Sequence, residues 1–359
     1  MRTVVHVLPH AGGGAETYID ALERMEGYRH ERVLLSRSRT AAMAGPSIAS
    51  RWPELMRRAH GADIVHSHGD VASVLALPVL RGSASVATTH GLHLLRRVGG
   101  QRGVVAREGV RAVVAAAGRV ICTSEEERIE LAAICGEQRA RKLVVVHNGI
   151  DLPPRRPEGE RVEVRRHLGI AEDEVMGLFL GQLEQRKDPL TAVAAARDVR
   201  RRGLPFTLVV AGDGPLAPET VAAGEEDVRV IGFRRDTDRL LAAADVFVMP
   251  SEREGLSFAV LEAMGHGLAM VVSDGPGNPE AVGDAGVVCP VGDSAAFADV
   301  LAALTQDPAE RERLGAAARE RVRTRFTVAG LVDRTRDVYE SLGAGRLTAP
   351  ARARAGARA

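Results

Sequence analysis

The chain has 359 residues, long for one domain and comfortable for two. Its 48 Lys and Arg against 47 Asp and Glu leave a formal charge of +1, and aromatics are few. There is neither a basic field nor a stacking surface for bases, so no nucleic-acid partner is expected.

Taken in chain order, Thr3 to Leu8 predicts a strand, Pro9-His10-Ala11-Gly12-Gly13-Gly14 breaks it, and a helix is expected from Ala15. A glycine-rich turn between strand and helix lets backbone amides approach a ligand. As a dinucleotide fingerprint it is broken, because Thr17 stands where the third glycine belongs. A generic anion-approach loop and a plain tight turn both stay open. Val33 to Leu35, Ile64 to His66, Ser85 to Thr88, Val120 to Cys122 and Leu143 to Val146 are short apolar, mostly β-branched runs, with helical stretches such as Trp52 to His60 and Val104 to Ala117 between them. Parallel strands buried on both faces have this composition, so a doubly wound α/β layer is predicted. Polar residues recur at the strand ends: His66-Ser67-His68-Gly69, Thr89-His90-Gly91, Thr123-Ser124-Glu125 and His147-Asn148-Gly149. Ligands in open α/β sheets bind beyond the carboxyl ends of strands, so the repetition points to a cleft rather than to isolated hydrogen-bonded histidines.

Asp151 to Glu160, with Pro153, Pro154 and Pro157 among charges, reads as an interdomain linker. The rhythm then restarts. Strands are expected over Val175 to Leu180, Phe206 to Ala211 and Val228 to Phe233, with helices over Pro189 to Arg201 and Asp236 to Ala244. A further strand, Ala244 to Met249, stops at Pro250-Ser251, and a helix begins near Leu256 or Ser257. Such junctions hold anions, because the first amides of a helix lack internal partners. Glu254 and Glu262 bracket this one. Met270 to Ser273 and the turn-rich Asp274 to Glu280 follow, then helices over Ala295 to Leu304, Ala309 to Arg325 and Thr327 to Leu342. The end is arginine-rich, low in complexity and without large apolar residues, so residues 344–359 are expected to be disordered. No apolar run has the length of a membrane span and no signal peptide precedes the first strand, so a cytoplasmic protein is expected. Cys122, Cys135 and Cys289 show no ligand spacing and read as buried thiols.

Several stretches together resemble a glycosyltransferase of the two-Rossmann-domain GT-B type, in family 4, the retaining nucleotide-sugar enzymes. They are Gly13-Gly14-Ala15-Glu16, His147-Asn148-Gly149-Ile150-Asp151, Ala211-Gly212-Asp213-Gly214-Pro215, and Glu254 and Glu262 with seven residues between them. The resemblance implies two Rossmann-like domains facing across a cleft, an acceptor domain over 1–155 and a donor domain over 156–327. A helix over about 328–343 would pack back towards the first domain. It implies Glu254 at the donor sugar and Glu262 on the ribose hydroxyls. The amides of Gly255, Leu256 and Ser257 would meet the diphosphate. Lys187 would neutralise the departing diphosphate. His90 would orient a sugar hydroxyl or stabilise the positive anomeric carbon through its backbone carbonyl, Gly13 and Gly14 would lie near the phosphates, Gly232 and Phe233 near the base, and Glu16 and His68 near the acceptor. Neither cofactor nor essential metal is implied. The sequence departs from the family where an arginine is expected after Gly181 and Gln182 stands instead, a donor-binding residue that can still donate a hydrogen bond. Arg186 is a poor substitute on this reading, since adjacent loop residues rarely point the same way.

The expected reaction is transfer from a nucleotide diphosphate sugar, UDP by default, to an acceptor hydroxyl. An epimerase of the same fold and a weakly active binding protein stay as rivals, the second because of Gln182. Asp236-Thr237-Asp238 has the form of a metal motif but reads as a helix N-cap. Arg96, Arg97, Arg102, Arg107 and Arg111 fit either a solvated helix face or a peripheral contact with the inner membrane face.

Overall fold

A computed structural model describes residues 1–36, 45–92, 100–154, 158–224 and 228–344. They divide into two compact units: those within Met1–Cys122 and Arg128–Val146, with Val332 to Ala344, form the first, and those within Thr123–Glu127 and His147–Leu331 the second. The expected tail, except Ala344, lies outside the described residues, as do Arg96 and Arg97.

The first unit carries a parallel sheet of β1 (Arg2–Leu8), β2 (Tyr28–Leu34), β3 (Ile64–His68), β4 (Ser85–Thr88), β5 (Arg119–Cys122) and β6 (Leu143–Val145), in the order β2-β1-β3-β4-β5-β6. Val4, Val5, Val65, Val86 and Ile121 have essentially no exposure, as expected of strands covered on both faces. Helices α1 (Gly14–Leu22), α2 (Gly45–His60), α3 (Asp70–Leu75), α4 (Leu77–Gly82), α5 (Gly100–Ala116), α6 (Glu125–Cys135) and α7 (Glu137–Ala140) connect the strands. The order reverses between β1 and β3, which opens a ligand crevice at their carboxyl ends in this kind of sheet.

The second unit repeats the plan with β7 (Val175–Leu180), β8 (Phe206–Ala211), β9 (Val228–Gly232), β10 (Val246–Met249), β11 (Ala269–Ser273) and β12 (Gly286–Cys289), ordered β12-β11-β10-β7-β8-β9. Here the reversal falls between β7 and β10. Its helices are α8 (Glu158–His167), α9 (Pro189–Arg201), α10 (Ala217–Ala223), α11 (Thr237–Ala243), α12 (Phe258–His266), α13 (Asn278–Val282), α14 (Ser294–Gln306) and α15 (Pro308–Arg325). Each unit has its own apolar core.

One sequence expectation needs correction. The stretch read as linker up to Glu160 already turns helical at Glu158. This helix is anchored by charge as well as by Val164, which joins the apolar core. Arg161 Nη2 lies 2.6 Å and Arg165 Nη1 3.0 Å from the two oxygens of Asp245, and Arg165 is 3 % exposed.

The last helix, α16 (Val328–Ala344), contributes Thr335 and Tyr339 to the first unit. Tyr339 Oη stands 2.7 Å from His66 Nδ1, and Thr335 Oγ1 stands 3.3 Å from Tyr18 Oη. No described helix is long and apolar enough to cross a membrane.

Candidate active site

In the second unit the switch point brings the ends of β7 and β10 together. After β7 the chain runs through Gly181 and Gln182 into one turn of 3₁₀ helix, Gln185–Lys187, whose end is fixed by Asp188 at φ 48°. Lys187 is buried, its aliphatic stem against Gly181, and its Nζ lies 2.6 Å from Glu254 Oε1. Arg186 Nη1 lies 3.2 Å from Glu254 Oε2, and its Nη2 2.8 Å from Glu184 Oε1. The two adjacent cations therefore converge on one buried carboxylate, against the sequence expectation. The tight 3₁₀ turn rotates both side chains towards β10, and the Arg186 carbonyl accepts the Glu252 amide at 2.9 Å, tying the two loops. Burial lowers the Lys187 ammonium pKa more than Glu254 raises it. Burial also acts to lower the Arg186 guanidinium, but the charges of Glu254 and Glu184 outweigh it and raise it. Gln182 is exposed.

The Pro250–Ser257 loop is held from several sides. Glu254 N donates to Pro276 O at 2.8 Å, Asn148 Nδ2 to Leu256 O at 2.6 Å, and Asn278 Nδ2 to Ser251 Oγ at 3.1 Å. Ser273 Oγ donates to the Ser251 carbonyl. Gly277, at φ 89°, packs so closely that a Cβ there would sit 1.9 Å from Gly255 O. Gly255 and Leu256 are buried and Ser257 half-buried. Ser257 occupies the N-cap of α12 without a side-chain cap hydrogen bond. Glu262, a turn into α12, is half-buried. Among the described residues its carboxyl has no hydrogen bond or ion pair, and desolvation pushes it up to about 7. Gly232 (φ 70°) ends β9, and Phe233 beyond it is 65 % exposed. Asp236 is the N-cap residue of α11, but its carboxylate pairs with Arg234 at 2.7 Å instead of capping, and Asp238 holds His266 at 2.8 Å.

Glu280 closes the same loop region. It accepts from the amides of Glu125 (2.8 Å) and Glu126 (3.4 Å) and lies 2.7 Å from His147 Nε2. Burial alone would raise its carboxyl; the His147 contact and the amides outweigh that and hold it low.

In the first unit, Gly12 (φ 83°) and Gly13 (φ 86°) shape the turn before α1, with Gly13 as the N-cap and Gly14 opening the helix. Glu16 Oε2 folds back to accept the Gly12 amide at 2.7 Å, so it staples its own loop. His90 follows β4 in the left-handed region, φ 52°, as does Leu92 at 48°, a backbone state that non-glycine residues adopt only when their surroundings impose it. His68 is fully buried and contacts His6 and His90, so the acceptor contact expected of it can only be indirect. His66 is fully buried too, bonded to Tyr339 and Thr88 at 2.7 Å each. Two of the strand-end histidines that suggested a cleft are thus internal. Sequence reading missed His6 and His30, whose part depends on β1 lying between β2 and β3.

A family model described as Glycosyltransferase Family 4 matches residues 4–153, and one described as Glycosyl transferases group 1 matches residues 174–307. The alpha-maltose-1-phosphate synthase of Mycobacterium tuberculosis is 32% identical over 334 residues, 84% of this chain and 85% of that protein. The chain belongs to glycosyltransferase family 4. The D-inositol 3-phosphate glycosyltransferase of Kribbella flavida is 32% identical over 297 residues, 74% of this chain and 68% of the relative. The fold matches that of Anabaena Alr3699/HepE in complex with UDP-glucose, with TM-score 0.80 at 17% identity over 96% of this chain and 100% of the other. WaaG, a glycosyltransferase involved in lipopolysaccharide biosynthesis, matches at TM-score 0.73 and 17% identity, over 94% and 99%. As a family 4 glycosyltransferase the chain has the GT-B architecture of two Rossmann-like domains. The epimerase reading finds no support among these relatives.

Proposed function

We propose that this glycosyltransferase moves a hexosyl group from a nucleotide diphosphate donor, UDP by default, to an acceptor hydroxyl, with retention at the anomeric carbon and no essential metal. The observation that carries this reading is Glu254, a buried carboxylate clasped by Lys187 and Arg186 where the sheet order of the second unit reverses. A nucleoside diphosphate leaves easily only if its growing charge is neutralised, and buried fixed cations do that without reorganising. Lys187 and Arg186 serve this step, Arg186 supplying the charge that Gln182 lacks. The amides of Gly255, Leu256 and Ser257 just before α12 take the diphosphate, Glu254 the sugar hydroxyls and Glu262 the ribose hydroxyls, which are natural donors to a carboxylate with no other partner among the described residues. His90 orients the sugar, Gly13 and Gly14 approach the phosphates, and Gly232 and Phe233 flank the base. A front-face path, in which the leaving phosphate takes the acceptor's proton, needs no paired acid and base of the glycosidase kind. Asp236 and Asp238 already have partners, which favours metal independence. The UDP-glucose complex of a protein with the same fold supports the donor class.

The test is incubation with a panel of nucleotide sugars and cell-extract acceptors, with and without EDTA, with the product anomer read by NMR. Retained α-configuration from an α-linked donor, insensitive to EDTA, is expected. Binding without transfer or donor hydrolysis, an inverted product, or loss of activity in EDTA would each overturn the corresponding part.

A further inference from the structure

Four imidazoles in the first unit are joined end to end. His30 Nδ1 lies 2.8 Å from His6 Nε2, His6 Nδ1 2.8 Å from His68 Nε2, and His68 Nδ1 3.1 Å from His90 Nε2. His30, His6 and His68 lie on one face of the sheet, with His90 just beyond the end of β4. His6 is in register with His66, which puts His68 two residues further along the same side, and His30 faces Val4, two residues before His6. Tyr18 covers the row, its ring 5.6 Å from that of His68 and 5.1 Å from that of His90. His6 and His68 are fully buried, while His30 and His90 are half-buried. Each end has a nitrogen to spare. His30 Nε2 is buried without a partner, and among the described residues His90 Nδ1 has none.

A neutral imidazole has one N–H and one lone pair. Burial keeps His6 and His68 far below their usual pKa and His90 at about 4, so the row is neutral near pH 7. Because every link joins Nδ1 to Nε2, the direction of one hydrogen bond fixes the next. Either all four rings carry the proton on Nδ1 or all four carry it on Nε2. We propose that His30, His6 and His68 are positioning residues that set which nitrogen of His90 bears the proton, and so whether His90 offers its ligand a hydrogen-bond donor or an acceptor. This rests on the reading of His90 as a residue that faces the sugar. The competing occupant of the row is a transition metal on His6, His66 and His68, whose nitrogens lie within 4.8 Å of one another. It would have to displace links of His6 and His68 and one of the bonds of His66 to Tyr339 and Thr88, each 2.7 Å.

The experiment uses the full chain labelled with ¹⁵N-histidine, in which two-bond ¹⁵N–¹H spectra report each ring's tautomer. One shared tautomer is expected for the four rings. In His6→Phe, His68 and His90 should drift to averaged ¹⁵N shifts, and kcat for transfer should fall by up to about tenfold, the worth of one hydrogen bond, with KM for the nucleotide sugar little changed. His6→Gln, whose amide supplies one donor and one acceptor, should restore a single tautomer at His90 and most of the rate. His30→Phe breaks the first link at the half-buried end and should act like His6→Phe should the latter fail to fold. Mixed tautomers in the parent chain, or an unmoved His90 in both Phe variants, would overturn the proposal. So would cobalt(II) d–d absorption that vanishes in His6→Gln, because a metal would then hold these nitrogens. Coupled shifts with transfer untouched in both His6→Phe and His90→Ala would instead remove His90 from the ligand, leaving the proposed transfer reaction standing.

Discussion

Glu262 keeps its proton to about pH 7 in the folded chain, against 4.5 for an ordinary glutamate, because the helix half-buries it with no partner. Between those values the folded chain holds more protons than the unfolded one, so the stability linked to this group falls as pH rises through that window. Glu262→Gln should therefore raise the melting temperature of the ligand-free chain more at pH 8 than at pH 5. A parallel shift at both pH values would show that Glu262 is not the titrating group. The same substitution should weaken nucleotide binding by about 10- to 100-fold, the worth of charge-assisted hydrogen bonds to the ribose, as read by calorimetry. Lys187 and Arg186 differ in a way that gives a second prediction. Lys187 is enclosed and, among the described residues, pairs with Glu254, whereas Arg186 is shared between Glu254 and Glu184. Lys187→Ala should cost about 10²- to 10³-fold in kcat, as for removal of one preorganised donor at a developing anion. Arg186→Ala should cost less, and equal losses would contradict this ranking.

The loop between β10 and α12 is only as rigid as the contacts that clamp it. Gly277 provides one of them: at φ 89° and with Gly255 O where its Cβ would be, it admits no side chain without moving the loop. Gly277→Ala should lower unfolding free energy by about 1–3 kcal/mol from backbone strain alone, measured in urea, and reduce kcat by displacing the amides of Gly255 and Leu256. These elements were legible to unequal degrees. The strands are β-branched runs and showed themselves by composition. The junction after β10 was visible because Pro250 and Ser251 end an apolar run. Helix α8 was hidden, since Glu158, Glu160, Arg161, Glu163, Arg165 and Arg166 give it the composition of a linker and its anchor, Asp245, lies on the far side of three strands in sequence. Asp245→Ala would leave Arg165 buried and unpaired, a change that costs about 3–5 kcal/mol.

At the scale of the whole molecule, alternation of strand and helix was enough to predict two doubly wound layers, because burial on both faces leaves its mark on every strand. Strand order leaves no such mark. That is why the convergence of Lys187 and Arg186 on Glu254, and the row formed by His30, His6, His68 and His90, needed the fold. Order also explains why the two apolar cores should respond separately. Tyr339 sits in the first unit with its hydroxyl on His66, while Lys187, Glu254 and Glu262 belong to the second. Tyr339→Phe leaves one buried His66 nitrogen unpaired, at about 1–3 kcal/mol, and removes nothing from the second core. Scanning calorimetry of the full chain should show the first unit's transition lowered and the second's unmoved. Saturating UDP should raise the second, which holds Lys187 and Glu262, by about 2.7 kcal/mol at a hundred times its dissociation constant. A single transition that moves as one under both perturbations would mean that the two cores unfold together, and that a change at Tyr339 is felt at Glu254.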